Sequence, residues 1–182
     1  MRHLPILEQL RGGDRRSIGR VPQVVQEVSK NPELAGELVV GLVGDDPIVR
    51  MRAADALEKV SKEHPALLNP FKDILLSTAT DSEQQEVRWH LAQMLPRLKL
   101  SQKEKDVVVS ILRSYLGDQS SIVKVCALQA LAELAANDKR LVSLVKPVIE
   151  HACRNGTPAM PARGRKLILL LKKHGYCNLT KG

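Results

Sequence analysis

Aliphatic positions recur along this chain with a helical period, and the helical period itself recurs at longer range. Four segments align without gaps, at 49–57, 87–95, 123–131 and, more loosely, 162–170. Each carries a basic residue at its second position (Arg50, Arg88, Lys124 and Arg163), at spacings of 38, 36 and 39 residues. An apolar stripe runs at the residue before the basic one and then four, seven and ten residues after it. It reads Val87, Ala92, Leu95 and Leu98 in the second copy, and Val123, Leu128, Leu131 and Leu134 in the third. Those offsets share one face of a helix and would scatter over both faces of a strand. Asp46, Asp81 and Asp118 precede three of the copies, where a carboxylate suits a helix N-terminus.

Second amphipathic segments lie between these helices, near 33–43, 65–77, 102–116 and 139–152, each after a polar or proline-marked turn such as Asn31-Pro32 or His64-Pro65. Residues 4–10 and 18–28 read as one further, divergent pair, with Val21, Val24, Val25 and Val28 on its apolar face. The pattern predicts an all-α chain of ten helices in five antiparallel pairs, approximately 1–30, 31–62, 63–99, 100–136 and 137–176, forming a single domain.

A two-helix unit of this length, with Asp, then Val-Arg, then Ala and Leu at fixed offsets, resembles the HEAT repeat of the armadillo-type helical repeats. The resemblance is clearest over 46–134, weaker over 157–173 and weakest over 1–29, as terminal caps would show. It implies a right-handed α-α superhelix, a solenoid whose second helices line a concave surface. The motif specifies a fold and leaves the function open.

Composition sharpens this picture. Aromatic residues are only 2% of the chain, so the core must be aliphatic. No apolar run is long enough to span a bilayer, and the first residues lack the apolar stretch of a secretion signal. Three cysteines, Cys126, Cys153 and Cys177, then read as free thiols in a reducing, cytoplasmic compartment. The net charge of +8 is local: residues 137–182 hold ten basic and two acidic side chains, and the middle of the chain is near neutral.

Several residues are candidates for chemistry. The basic column Arg50, Arg88, Lys124 and Arg163 is expected to pair with Asp46, Asp81 and Asp118 in a structural ladder. His151, Cys153, His174 and Cys177 are zinc-type ligands, but the two pairs close opposite ends of antiparallel helices, so no metal site is expected. Arg11-Gly12-Gly13-Asp14 is too short for a phosphate loop and follows no strand. Trp89, the only tryptophan, either packs between repeats or stands on a binding face.

If the aligned helices line a groove, its polar columns are set by the repeat. Arg52, Asp55, Lys59, Trp89, His90, Gln93, Arg97, Gln129 and Glu133 are the groove residues expected to meet a partner. Arg163, Arg165, Lys166, Lys172 and Lys173 form a basic terminus suited to a polyanion. The expected function is a non-enzymatic scaffold that binds another protein along this groove, with no cofactor. The alternative is phosphate-backbone binding by the basic terminus. Some HEAT-like proteins are alkylpurine DNA glycosylases and others attach bilins to proteins. The glycosylases need a carboxylate beside aromatics in the groove, for which Asp55, Glu133 and Trp89 are the available residues, and neither enzyme group finds a firm match.

Overall fold

A computed structural model describes residues 5–14, 16–155 and 159–173, and among these the chain is all-helical, with ten α-helices and no strand. None of those helices is long and apolar enough to cross a membrane. The residues group into two compact units, one ending at Leu100 and the other beginning at Ser101.

The first unit holds α1 (Pro5–Leu10), α2 (Val21–Lys30), α3 (Ala35–Val43), α4 (Pro47–Glu63), α5 (Lys72–Asp81) and α6 (Gln85–Met94). Asp46 starts α4 as the pattern predicts: its carboxylate accepts from Ile48 N at 2.8 Å and Val49 N at 3.3 Å, and Pro47 lacks the N–H that position would leave unpaired. Helix α4 is the centre of the unit. It packs against its partner α3, and against α2 and α6, the second helices before and after it. Every residue from Met51 to Val60 except Lys59 is buried, so this helix has no solvated stripe.

The second unit holds α7 (Gln102–Tyr115), α8 (Ser121–Asn137), α9 (Lys139–Asn155) and α10 (Ala159–Lys173). Its central element is α8, an Ala- and Leu-rich helix that packs against α7, α9 and α10. A capping box opens α7: Ser101 Oγ accepts from Glu104 N, and the Glu104 carboxylate accepts from Ser101 N. Gly164 lets α10 lie close on α9, because a Cβ there would overlap the Cys153 sulfur. Leu167 and Leu171 point inward beside it.

Prolines explain where the helices depart from the expected bounds. The segment expected as one helix from Pro65 begins as a 3-10 stretch, Pro65–Phe71, since Pro70 has no N–H to extend an α-helical ladder. Helix α6 ends at Met94, and Leu95–Arg97 forms a 3-10 turn around Pro96, although Leu95 and Leu98 stay in the core. Asp81 closes α5 instead of opening α6. Asp118 accepts from Ser120 N in the turn before α8, and Ser120 caps that helix.

Leu95 and Leu131 occupy equivalent repeat positions and are both fully buried. Truncating either to alanine should destabilise the protein by roughly 2–5 kcal/mol, read in urea melts. Near-neutral changes at both would place them outside the core.

Candidate functional site

The polar residues of α4 were expected on an open groove, and the structure corrects that expectation first at Arg52. Its side chain is interior, with the residue 2% exposed. The guanidinium sits inside the α1–α2 connection and donates to main-chain oxygens of Leu10 (2.8 Å), Gly12 (2.6 Å) and Ser17 (3.1 Å), and more weakly to Arg11 and Asp14. These acceptors are carbonyls at the end of α1 and in the loop that follows, where a helix end leaves groups in need of donors. Gly13 and Gly19 adopt positive φ (75° and 55°) where the loop closes around the guanidinium. A Cβ at Gly19 would lie 2.9 Å from the Arg52 Cζ. The Gly12-Gly13 pair thus serves an arginine clasp, and Arg52 is removed from the groove.

One and two turns further along α4, Asp55 and Glu58 are buried too. Asp55 accepts from Lys59 at 2.7 Å and lies 3.9 Å from His90 Nε2 on α6. Glu58 accepts from Arg97 at 2.8 Å and Lys62 at 3.0 Å, while a second Arg97 nitrogen donates to the Glu58 carbonyl and the Ser61 hydroxyl. Pro96 makes this possible, because Arg97 leaves the helical path just after α6 and turns back onto α4. Burial by itself raises the Glu58 pKa, but the hydrogen bonds from Arg97 and Lys62 outweigh it and hold the carboxyl below its ordinary value. Burial also lowers the His90 pKa, against the pull of Asp55 and Glu58, which favours the neutral ring. His90 Nδ1 is buried with no hydrogen-bond partner among the described residues.

Oxygens of Asp55 and Glu58 and a ring nitrogen of His90 lie within 4.8 Å of one another, a donor set that a divalent ion could use. Their surroundings do not favour one. Lys59, Lys62 and Arg97 already neutralise both carboxylates, so an ion would have to displace at least two of these contacts and would enter a cationic site. The arrangement is an ion-pair network that joins α4 to α6 and to the turn after it. Sequence columns found Asp55, Lys59, His90 and Arg97 but missed Glu58, which the repeat offset passes over by one residue.

The remaining expected groove residues are half-buried. Trp89 packs beside His90, ring centroids 5.6 Å apart, and Gln93 donates to the Trp89 carbonyl. In the second unit, Gln129 donates to Glu133 at 2.7 Å along α8. In its first copy the expected Asp–Arg ladder takes another form: Arg50 donates to the carbonyls of Gly44 and Asp45 and to the Gln84 side chain. In the second copy Arg88 donates to the Ser82 carbonyl. Each arginine clips the turn six residues before it.

At the basic end, Arg163, Arg165, Lys166 and Lys173 are exposed on α10. The side chain of Lys172 lies outside the described residues. The α8–α9 junction is a single residue, Asp138, whose carboxylate accepts from Arg140 (2.6 Å) and from Lys105 on α7 (2.9 Å), and which also accepts from Arg140 N to cap α9. The Arg140 and Lys105 hydrogen bonds lower its pKa to about 2. Of the zinc-type ligands, His151 is exposed and bonds Asn155, and Cys153 packs under Gly164. His174 and Cys177 lie outside the described residues.

Comparison with protein-family models, curated proteins and solved structures gave no match.

Arg52→Ala should destabilise the protein by roughly 2–3 kcal/mol, the scale of hydrogen bonds to a charged group, and Arg52→Lys should recover less than half, since a single ammonium cannot span the loop. Urea melts of the two variants check this, and a neutral Arg52→Ala would disprove the clasp. Asp138 gives a pH signature. Its folded pKa lies below the ordinary 3.8, so its stabilisation is complete above that value and is lost as the pH falls toward about 2. The stability gap between the parent protein and Asp138→Asn should be widest near neutral pH and close on acidification. A gap independent of pH would mean that the pairing contributes nothing.

Proposed function

We propose that the chain is a HEAT-like helical-repeat module, five helix pairs stacked in a right-handed superhelix, that acts as a non-enzymatic scaffold by binding another protein. Contacts offset by about one repeat length support the stacking. Arg97 reaches Glu58 across 39 residues, Gln84 reaches the Pro47 carbonyl across 37, and Lys105 reaches Asp138 across 33. The two acidic residues that a glycosylase reading would use are engaged, Asp55 by Lys59 and Glu133 by Gln129, which favours a binding role.

The observation that carries the binding role is the outer face of α10. Arg163, Arg165, Lys166 and Lys173 are exposed there, no ion pair involves them among the described residues, and Leu169 stands beside them 57% exposed. The same cations favour a second reading, attachment to a polyanion such as duplex nucleic acid through its phosphates.

Affinity capture from native cell lysate, with and without nuclease, separates the two. The expected result is a nuclease-resistant protein partner that is retained by the parent chain. It should be lost when Arg163, Arg165, Lys166 and Lys173 are changed to glutamate, with the helical circular dichroism unchanged. Nuclease-sensitive retention, with DNA affinity falling about tenfold or more between about 50 and 200 mM salt, would favour the polyanion reading. Equal capture by both chains would remove α10 from the binding surface.

A further inference from the structure

We propose that the outward stripe of α10 is a docking site for an acidic amphipathic helix of a partner protein. This rests on the protein-binding reading above and adds the chemistry of the partner. Lys166, Leu169, Leu170 and Lys173 follow one another at i, i+3, i+4 and i+7, so they form one line along the helix. Together they border an open depression of about 520 Å³. Two leucines sit in the middle of the line and a lysine closes each end, while Arg163 lies about one turn nearer the helix start and Arg165 immediately precedes Lys166. Helix α10 contains no Asp or Glu, and neither do residues 174–182 that follow it. The orientation of the stripe is fixed from behind, where Gly164 lies against Cys153 and Leu167 and Leu171 are buried.

An apolar centre with a charged rim is the anatomy of a protein interface, and the sign of the rim selects a partner with acidic flanks. An amphipathic helix meets both demands, with aliphatic anchors at helical spacing and carboxylates beside them. Other occupants meet only one. A second copy of this face would set lysine against lysine. Duplex phosphates would satisfy the cations but would cover Leu169 with charged groups. An anionic bilayer would need a broad apolar face to insert, and the broad apolar face of α10 is turned into the fold.

The probe is a synthetic peptide with leucines at i, i+3, i+4 and i+7 and glutamates between them, titrated against the full chain by fluorescence anisotropy. Saturable binding is expected, weakening about tenfold in Leu169→Ser and by a similar factor when the peptide leucines become serine with every glutamate kept. The double variant Lys166→Glu/Lys173→Glu should lose the glutamate peptide and gain a matched peptide carrying lysines instead, a swap that no loss of structure could produce. These side chains are exposed or half-buried, and circular dichroism melts will show that the variants fold. Equal affinity for the serine peptide or for duplex DNA would overturn the proposal by reducing the stripe to a general polyanion surface. Phosphatidylserine vesicles that bind through Leu169 while the peptide does not would overturn it in favour of lipid. Failure of the peptide alongside continued nuclease-resistant protein capture would overturn this proposal and leave the protein-binding reading standing.

Discussion

Charges held inside a helix must be met by partners, and in the first unit that requirement ties the neighbouring elements to α4. Arg52, Asp55 and Glu58 follow one another at one-turn intervals along its buried length. An unpaired charge at any of these positions would cost several kcal/mol in desolvation, so each partner has to be in place for the unit to close. Arg52 recruits the α1–α2 connection on one side, and Glu58 recruits Arg97 from beyond α6 on the other. The aliphatic core supplies burial but little discrimination, since Leu, Val and Ala side chains repack with modest loss. With so few aromatic shapes to interlock, the charged contacts are the features that define which turn of one helix lies opposite which turn of the next.

The second unit solves the same problem with fewer charges. Its central helix α8 is lined with alanine and leucine, and its polar anchors sit at the ends. Asp138 joins α7, α8 and α9 at one corner by capping one helix while accepting from a lysine of another. At the other corner Gly164 lets α10 approach α9 to within contact of Cys153. One unit is held in register by buried ion pairs, and the other by a capped junction and a close backbone approach.

The helices were legible in the sequence because the recurring apolar stripe is a direct consequence of burial. The side-chain roles were less so. In the aligned repeats Arg52 stands two residues after the basic position, as His90, Cys126 and Arg165 do in the other copies, and such a column carries no information about what folds over its first member. Here a loop does, and its Gly12-Gly13 and Gly19 were the available signal, since glycines at positive φ mark a backbone that must turn tightly around something. Glu58 was passed over because burial on α4 is nearly complete, while the pattern assumed one solvated face. The reach of Arg97 depends on Pro96 ending α6 early. Proline is visible in sequence, but the direction taken by the chain after it is not.

The contrast between α4 and α10 is the basis for proposing a binding role at α10. On α4 every buried charge has an opposite partner or a set of carbonyls, and the fold accounts for it. Among the exposed cations Arg163, Arg165, Lys166 and Lys173, only Lys173 has an intrinsic reason for its sign, since a cation in the last turn suits the helix dipole. Arg163 and Lys166 are three residues apart on one face, a like-charge spacing that weakens a helix by a few tenths of a kcal/mol. Glutamate at either position would keep the surface solvated and remove the repulsion. Leu169, in the same stripe, adds exposed apolar surface that folding leaves unused. Cations that repel each other around a solvated leucine become favourable together only when something both acidic and apolar covers them.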